Sequence, residues 1–195
     1  MPSGWYGELI LYSGPNTDCP RLATVKDGGE LGAHSLITIT LPALLPGSGR
    51  ECVVQEEEMR VHGSLRSEAY EFAIPIPVGG QGHDGRQKEK FEWRRARGDE
   101  LRSLDESSRG WKLVRLSLSA EEEDDGKDQE IVAVWADASM FQASMTKAAR
   151  FQFLGSGATG ELGDLWTLMA AVTFLRVWQR KMQLTITTGT AAAVA

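Results

Sequence analysis

From Asp164 to about Met182 the chain carries a run that is written as a helix yet has no polar face. Asp164 is a good N-cap, because its side-chain oxygen accepts from an unpaired N–H of the first turn. At about 100° per residue the apolar side chains of Leu165 to Trp178 surround the axis, with no gap wider than about 60°. A helix that is hydrophobic all round has to be surrounded. Run on to Met182 it spans about 28 Å at roughly 1.5 Å per residue, so the rest of the chain has to wrap it rather than support one side. Arg176, Arg180 and Lys181 then mark where it emerges into water, and they suit the negative end of the helix dipole. The segment falls short of the roughly 20 apolar residues of a membrane span, and it contains Arg176, so it reads as core.

The partner that does the wrapping is a meander of strands. Before the helix, short apolar runs alternate with turn-rich breaks and helical periodicity is absent. The runs are Glu8 to Tyr12, Arg21 to Lys26, Leu36 to Leu41, Val53 to His62, Tyr70 to Val78, Lys88 to Arg95, Trp111 to Leu118, Ile131 to Ala136 and Arg150 to Leu154. The alternation is cleanest where Tyr70, Phe72, Ile74, Ile76 and Val78 share one face and Glu71, Ala73, Pro75 and Pro77 the other. Two prolines in one strand donate no ladder bonds, which places it at an edge or at a break in the pairing. The breaks, Pro42 to Gly49, Gly79 to Gly85, Gly98 to Gly110 and the acidic Glu121 to Glu130, read as loops. The fold class is therefore mainly β: an antiparallel, closed or nearly closed barrel of about 9–12 strands around one buried apolar C-terminal helix. One domain over residues 1–183, with its helix at about 164–182, is followed by a tail at 184–195.

A composition of 42% hydrophobic and 25% charged residues excludes wholesale disorder and a multi-span membrane protein. The formal net charge of -6 gives no global attraction to nucleic acid, so an anionic partner has to be met locally. Cys19 and Cys52, with no basic and apolar leader, read as reduced thiols in a reducing compartment, which means the cytoplasm.

Gly155-Ser156-Gly157-Ala158-Thr159-Gly160 matches GxGxxG between a strand and a helix. In a dinucleotide site the helix begins inside the motif and an acidic residue follows about 20 positions on. Here Glu161 to Asp164 intervene, and Gln179, Arg180 and Lys181 occupy the acidic position, so the reading is a flexible connector and no cofactor is expected. Gly79 to Gly85 lacks the Gly-Lys-Ser/Thr ending of a phosphate loop. His34, His62 and His83 lie apart without ligand spacing, and no serine stands in a nucleophile elbow, so no catalytic or metal residue is assigned.

The stretch Arg86 to Arg115 carries 10 lysines and arginines against 6 acids in a chain that is acidic overall. Lys88, Lys90, Arg94, Arg95 and Arg97, interleaved with Phe91 and Trp93, are the candidate contacts for an anionic ligand. The simpler alternative is the solvated face of a strand, its cations paired with acids on neighbouring strands.

Phe91-Glu92-Trp93-Arg94, Gly110 to Leu116, Ala133-Val134-Trp135 and the helix Leu165 to Trp178 together resemble a group of filamentous-fungal proteins of unassigned activity. Their strand succession, ended by one apolar helix, is similar to the Tubby C-terminal-like architecture of Tubby, LURP-one-related proteins and phospholipid scramblases. That resemblance implies a barrel around a central helix and a non-enzymatic binding or adaptor domain. Its expected partners are phosphoinositides or other anionic phospholipid headgroups at a membrane surface, met peripherally; no protein partner is indicated. A helix-grip carrier of a small apolar ligand and a hydrolase with a dispersed site are the alternatives.

Overall fold

The computed structural model describes residues 7–28, 36–42, 54–63, 67–77, 86–104, 109–116, 129–137 and 149–192. The expected loops over 43–49, 79–85 and 121–128, with His34, Cys52 and His83, lie outside the described residues. Among the described residues nine strands form, one at each of the expected positions: β1 Leu9–Tyr12, β2 Arg21–Gly28, β3 Leu36–Leu41, β4 Gln55–His62, β5 Ala69–Pro77, β6 Arg86–Arg97, β7 Arg109–Leu116, β8 Ile131–Asp137 and β9 Ala149–Phe153. They follow one another in chain order in an antiparallel sheet. Hydrogen bonds do not close it, since among the described residues no ladder joins β9 to β1.

That helix, α2 (Gly163–Ala192), continues beyond Met182 into the segment expected to be a tail. Met169, Ala170, Val172, Thr173, Arg176 and Val177 are buried. Leu168, Ala171, Phe174, Leu175 and Trp178 are only half-buried. Apolar residues all round thus translate into one fully buried stripe and one partly covered side.

The chain forms two compact units, Met1–Glu57 with Leu168–Ala195, and Glu58–Thr167. In the first, β1 pairs with β2 and β2 with β3, aligning Leu9 with Val25 and Val25 with Ile39. Ala23, Val25, Ile37, Ile39 and Leu41 alternate with more exposed residues, as strands with one buried face should. Arg176, expected to emerge into water, is 1% exposed instead. Its guanidinium pairs with Asp27 at the end of β2 and donates from Nη1 to Gln179 Oε1 at 2.6 Å. The buried Thr173 hydroxyl donates to the Met169 carbonyl at 2.8 Å, so the helix meets that polar group internally.

In the second unit register sorts the side chains onto two faces. Tyr70, Trp93, Leu113, Ala133 and Phe153 lie in one row across β5 to β9, and Arg95, Trp111, Trp135 and Phe151 in the next across β6 to β9. This aromatic face also receives Trp166 from the first turn of α2, 5.7 Å from Phe91 and 5.6 Å from Phe153 between ring centres. On the opposite face a 3-10 helix, Gly98–Leu104, forms inside the expected loop. Its Leu101 and Leu104 pack with Ala96, Val134 and Ala136 into a second small core. Lys112 Nζ reaches Glu100 at 2.5 Å, and Arg150 donates to the Leu104 carbonyl at 2.9 Å, fastening the 3-10 helix at both ends. Gly110 lies beneath it, where a Cβ would stand 2.2 Å from the Trp135 carbonyl oxygen, so no side chain fits.

β5 is an interior strand, paired with β6 from Tyr70 to Pro77. Among the described residues its ladder with β4 covers only Ala69 to Phe72, so the proline-bearing half stands at the expected break in the pairing rather than at a sheet edge. Residues two apart direct their N–H groups to the same edge, which is how β6 still pairs alongside two prolines.

Candidate functional site

The five candidate cations of β6 do not form one strip. Lys88, Lys90 and Arg94 share the face opposite the aromatic one, where Lys88 aligns with Pro75, Lys90 with Ala73 and Arg94 with Lys112. Lys88 and Lys90 are exposed, and Arg94 is half-buried. Arg95 lies on the aromatic side, its guanidinium 5.4 Å from the centre of the Trp111 ring, and Arg97 aligns in register with Arg109. A twelve-residue strand necessarily sends consecutive cations to opposite sides, and Arg94-Arg95 is such a pair.

Acids hold much of this charge. Glu71 and Glu92 are aligned directly across β5 and β6, a repulsive arrangement by itself. Lys90 Nζ lies 3.2 Å from Glu71, while Arg94 pairs with Glu92 and donates to Gln129 Oε1 at 2.7 Å. The quartet alternates in sign and so removes the repulsion. Each pair at this exposure contributes about 0.2–1 kcal/mol, which an anionic surface can displace.

A second polar cluster has no counterpart among the expected site residues. Arg115, aligned with Phe91, forms a fork onto Glu89, from Nε at 2.6 Å and Nη2 at 2.9 Å, and donates from Nη1 to Glu130 Oε2 at 3.4 Å. The hydrogen bond to Glu89 is the main reason the Arg115 guanidinium titrates above its ordinary value, burial opposing it. Glu130 accepts from the Ser156 N–H at 2.7 Å and from the Ser156 hydroxyl at 2.9 Å. Burial pushes the Glu130 carboxyl up, but those bonds and Arg115 outweigh it and hold the group below its usual range. Nothing in the linear pattern separates Glu130 from the acidic run it ends; only its place immediately before β8 sets it apart.

This contact also explains the glycine motif. The expected flexible connector is in part a one-turn helix, α1 (Gly155–Thr159). Gly155 has φ +47° and a Cβ there would lie 2.5 Å from Glu130 Oε1. At Gly157 a Cβ would meet the Val132 carbonyl oxygen at 2.4 Å and Trp166 Cη2 at 2.7 Å. Gly160 ends the turn in the left-handed region with φ +83°. Gly155 and Gly157 therefore stand where a Cβ would collide with Glu130 or with Val132 and Trp166, and Gly160 where the backbone is left-handed.

No family model, curated protein or solved structure matches the chain. Among the described residues no helix is long and apolar enough to cross a membrane.

Proposed function

We propose that this chain is a non-catalytic binding domain that meets anionic phospholipid headgroups through the outer face of β5 and β6. The observation that carries the reading is the alignment of exposed Lys88 and Lys90 with half-buried Pro75 and Ala73. Cations side by side with a short, smooth apolar strand suit a headgroup layer, where charge faces phosphate and small apolar groups tolerate the boundary. The Tubby-like architecture, with its sheet closing round the helix, belongs to this reading and rests on the resemblance. Occupation of the glycine turn by Glu130 supports a domain without nucleotide chemistry at that place.

Each cation near an anionic membrane contributes about 1 kcal/mol, so three give only moderate, salt-sensitive attachment. In flotation assays, vesicles containing phosphoinositides should carry the wild type upward at low salt and less at physiological salt. The triple variant Lys88→Glu, Lys90→Glu, Arg94→Glu should stay at the bottom, while Arg21→Glu with Lys26→Glu should float as the wild type does; circular dichroism confirms that each is folded. A wild type that floats at neither salt would replace lipid with a protein partner.

A further inference from the structure

We propose that Glu130 is an acid-released latch on the connection between β9 and α2. Among the described residues the connection is held by short-range bonds: Leu154 N–H donates to the Val132 carbonyl of β8 at 2.9 Å, Gly157 N–H and Ala158 N–H to the Leu154 carbonyl at 2.9 and 3.2 Å, the Thr159 hydroxyl to the Ser156 carbonyl at 3.2 Å and Gly163 N–H to the Gly160 carbonyl at 3.0 Å. One helical turn is unstable alone, because nucleation fixes several residues for one or two bonds. Its N-cap residue, Leu154, offers no side-chain acceptor. The cap is supplied from outside by Glu130, through both the N–H and the hydroxyl of Ser156, which is itself buried.

Among the described residues, few ionisable groups face this carboxylate. From β7 it faces Arg115, which the fork onto Glu89 of β6 holds in place. α1 carries no ionisable side chain, and Glu161 and Asp164 further along are exposed. On β8 the one ionisable residue, Asp137, stands at the far end of the strand. Protonating Glu130 turns one acceptor oxygen into a donor, so Ser156 loses a partner and the attraction to Arg115 disappears.

The sign follows from the carboxyl being held below its ordinary range. The latch is closed above that range and opens as pH falls through the lowered value. Arg115, raised, stays charged throughout and adds no pH dependence of its own.

Hydrogen exchange on the full chain from pH 7 to pH 3, corrected for intrinsic rates, tests this. Protection of the amides of residues 155–160 should fall by up to about tenfold per pH unit once Glu130 titrates, as for one linked proton. The β5–β6 ladder should hold its protection over the same range. Glu130→Gln should start with a turn about tenfold less protected, as for one hydrogen bond to a charged group lost, and show no pH dependence there. Ser156→Ala, which keeps the N–H bond and loses the hydroxyl bond, should lie between. The proposal is overturned if the wild-type turn opens only together with β5–β6, or if Glu130→Gln matches the wild type; should that variant not fold, the wild-type series and Ser156→Ala decide.

Discussion

A guanidinium withdrawn from water costs several kcal/mol unless its donors find partners. Arg176 meets that cost with Asp27 and Gln179, while its Nε has no acceptor among the described residues. Asp27 is itself 41% exposed, so the pair reaches water through its acid and not through its base. Removing Asp27 leaves the cation stranded, and Asp27→Ala should lower stability by about 2–3 kcal/mol. Arg176→Met should cost less, because a flexible apolar chain fills much the same volume. The double variant should then recover most of the Asp27→Ala loss, as urea unfolding in a double-mutant cycle will show; strictly additive losses would mean the pair does not interact. A single arginine inside an apolar run signals a helix end when read in sequence, and only the placement of Asp27 reveals that it turns inward.

Secondary-structure elements were the most legible scale, for a physical reason. Period-two alternation fixes which residues of a strand are buried, and Tyr70, Phe72, Ile74 and Ile76 are all at most 3% exposed. The 3-10 helix was hidden because it is short and polar, its one signal being Leu101 and Leu104 three residues apart. In α2, hydrophobicity alone did not separate the covered side from the partly open one. Neighbouring alanines do: Ala170→Glu should abolish cooperative unfolding, since it places a carboxylate at a fully buried position. Ala171→Glu, on the half-buried side, should cost only about 1–2 kcal/mol. Equal loss of thermal stability in the two would mean that both sides are enclosed.

The turn at α1 invites a similar comparison. Gly157→Ala forces a methyl group onto a carbonyl oxygen and a buried indole, and should cost about 3 kcal/mol. Gly160→Ala meets open space and should cost about 1 kcal/mol, from its left-handed backbone alone. Thermal melts rank the two, and the reverse order would relocate the close contact.

Across the molecule, a chain with net charge -6 carries one basic stretch, and composition alone located it. How that stretch divides was not legible, because faces depend on register and partners come from strands distant in sequence, as Arg115 with Glu89 and Glu130 shows. The prolines of β5 have a consequence of another kind. Among the described residues Ala73 to Pro77 lies outside the ladder with β4, and a strand edge of high β-propensity left unpaired is in general where a foreign chain could add itself and begin a fibril. Pro75 and Pro77 withhold two successive donors along that line, so an incoming strand finds carbonyls it can donate to but too few N–H groups to accept from. Built in this way, the protein carries this segment, with Ile74 and Ile76 buried, without offering its edge as a seed for aggregation.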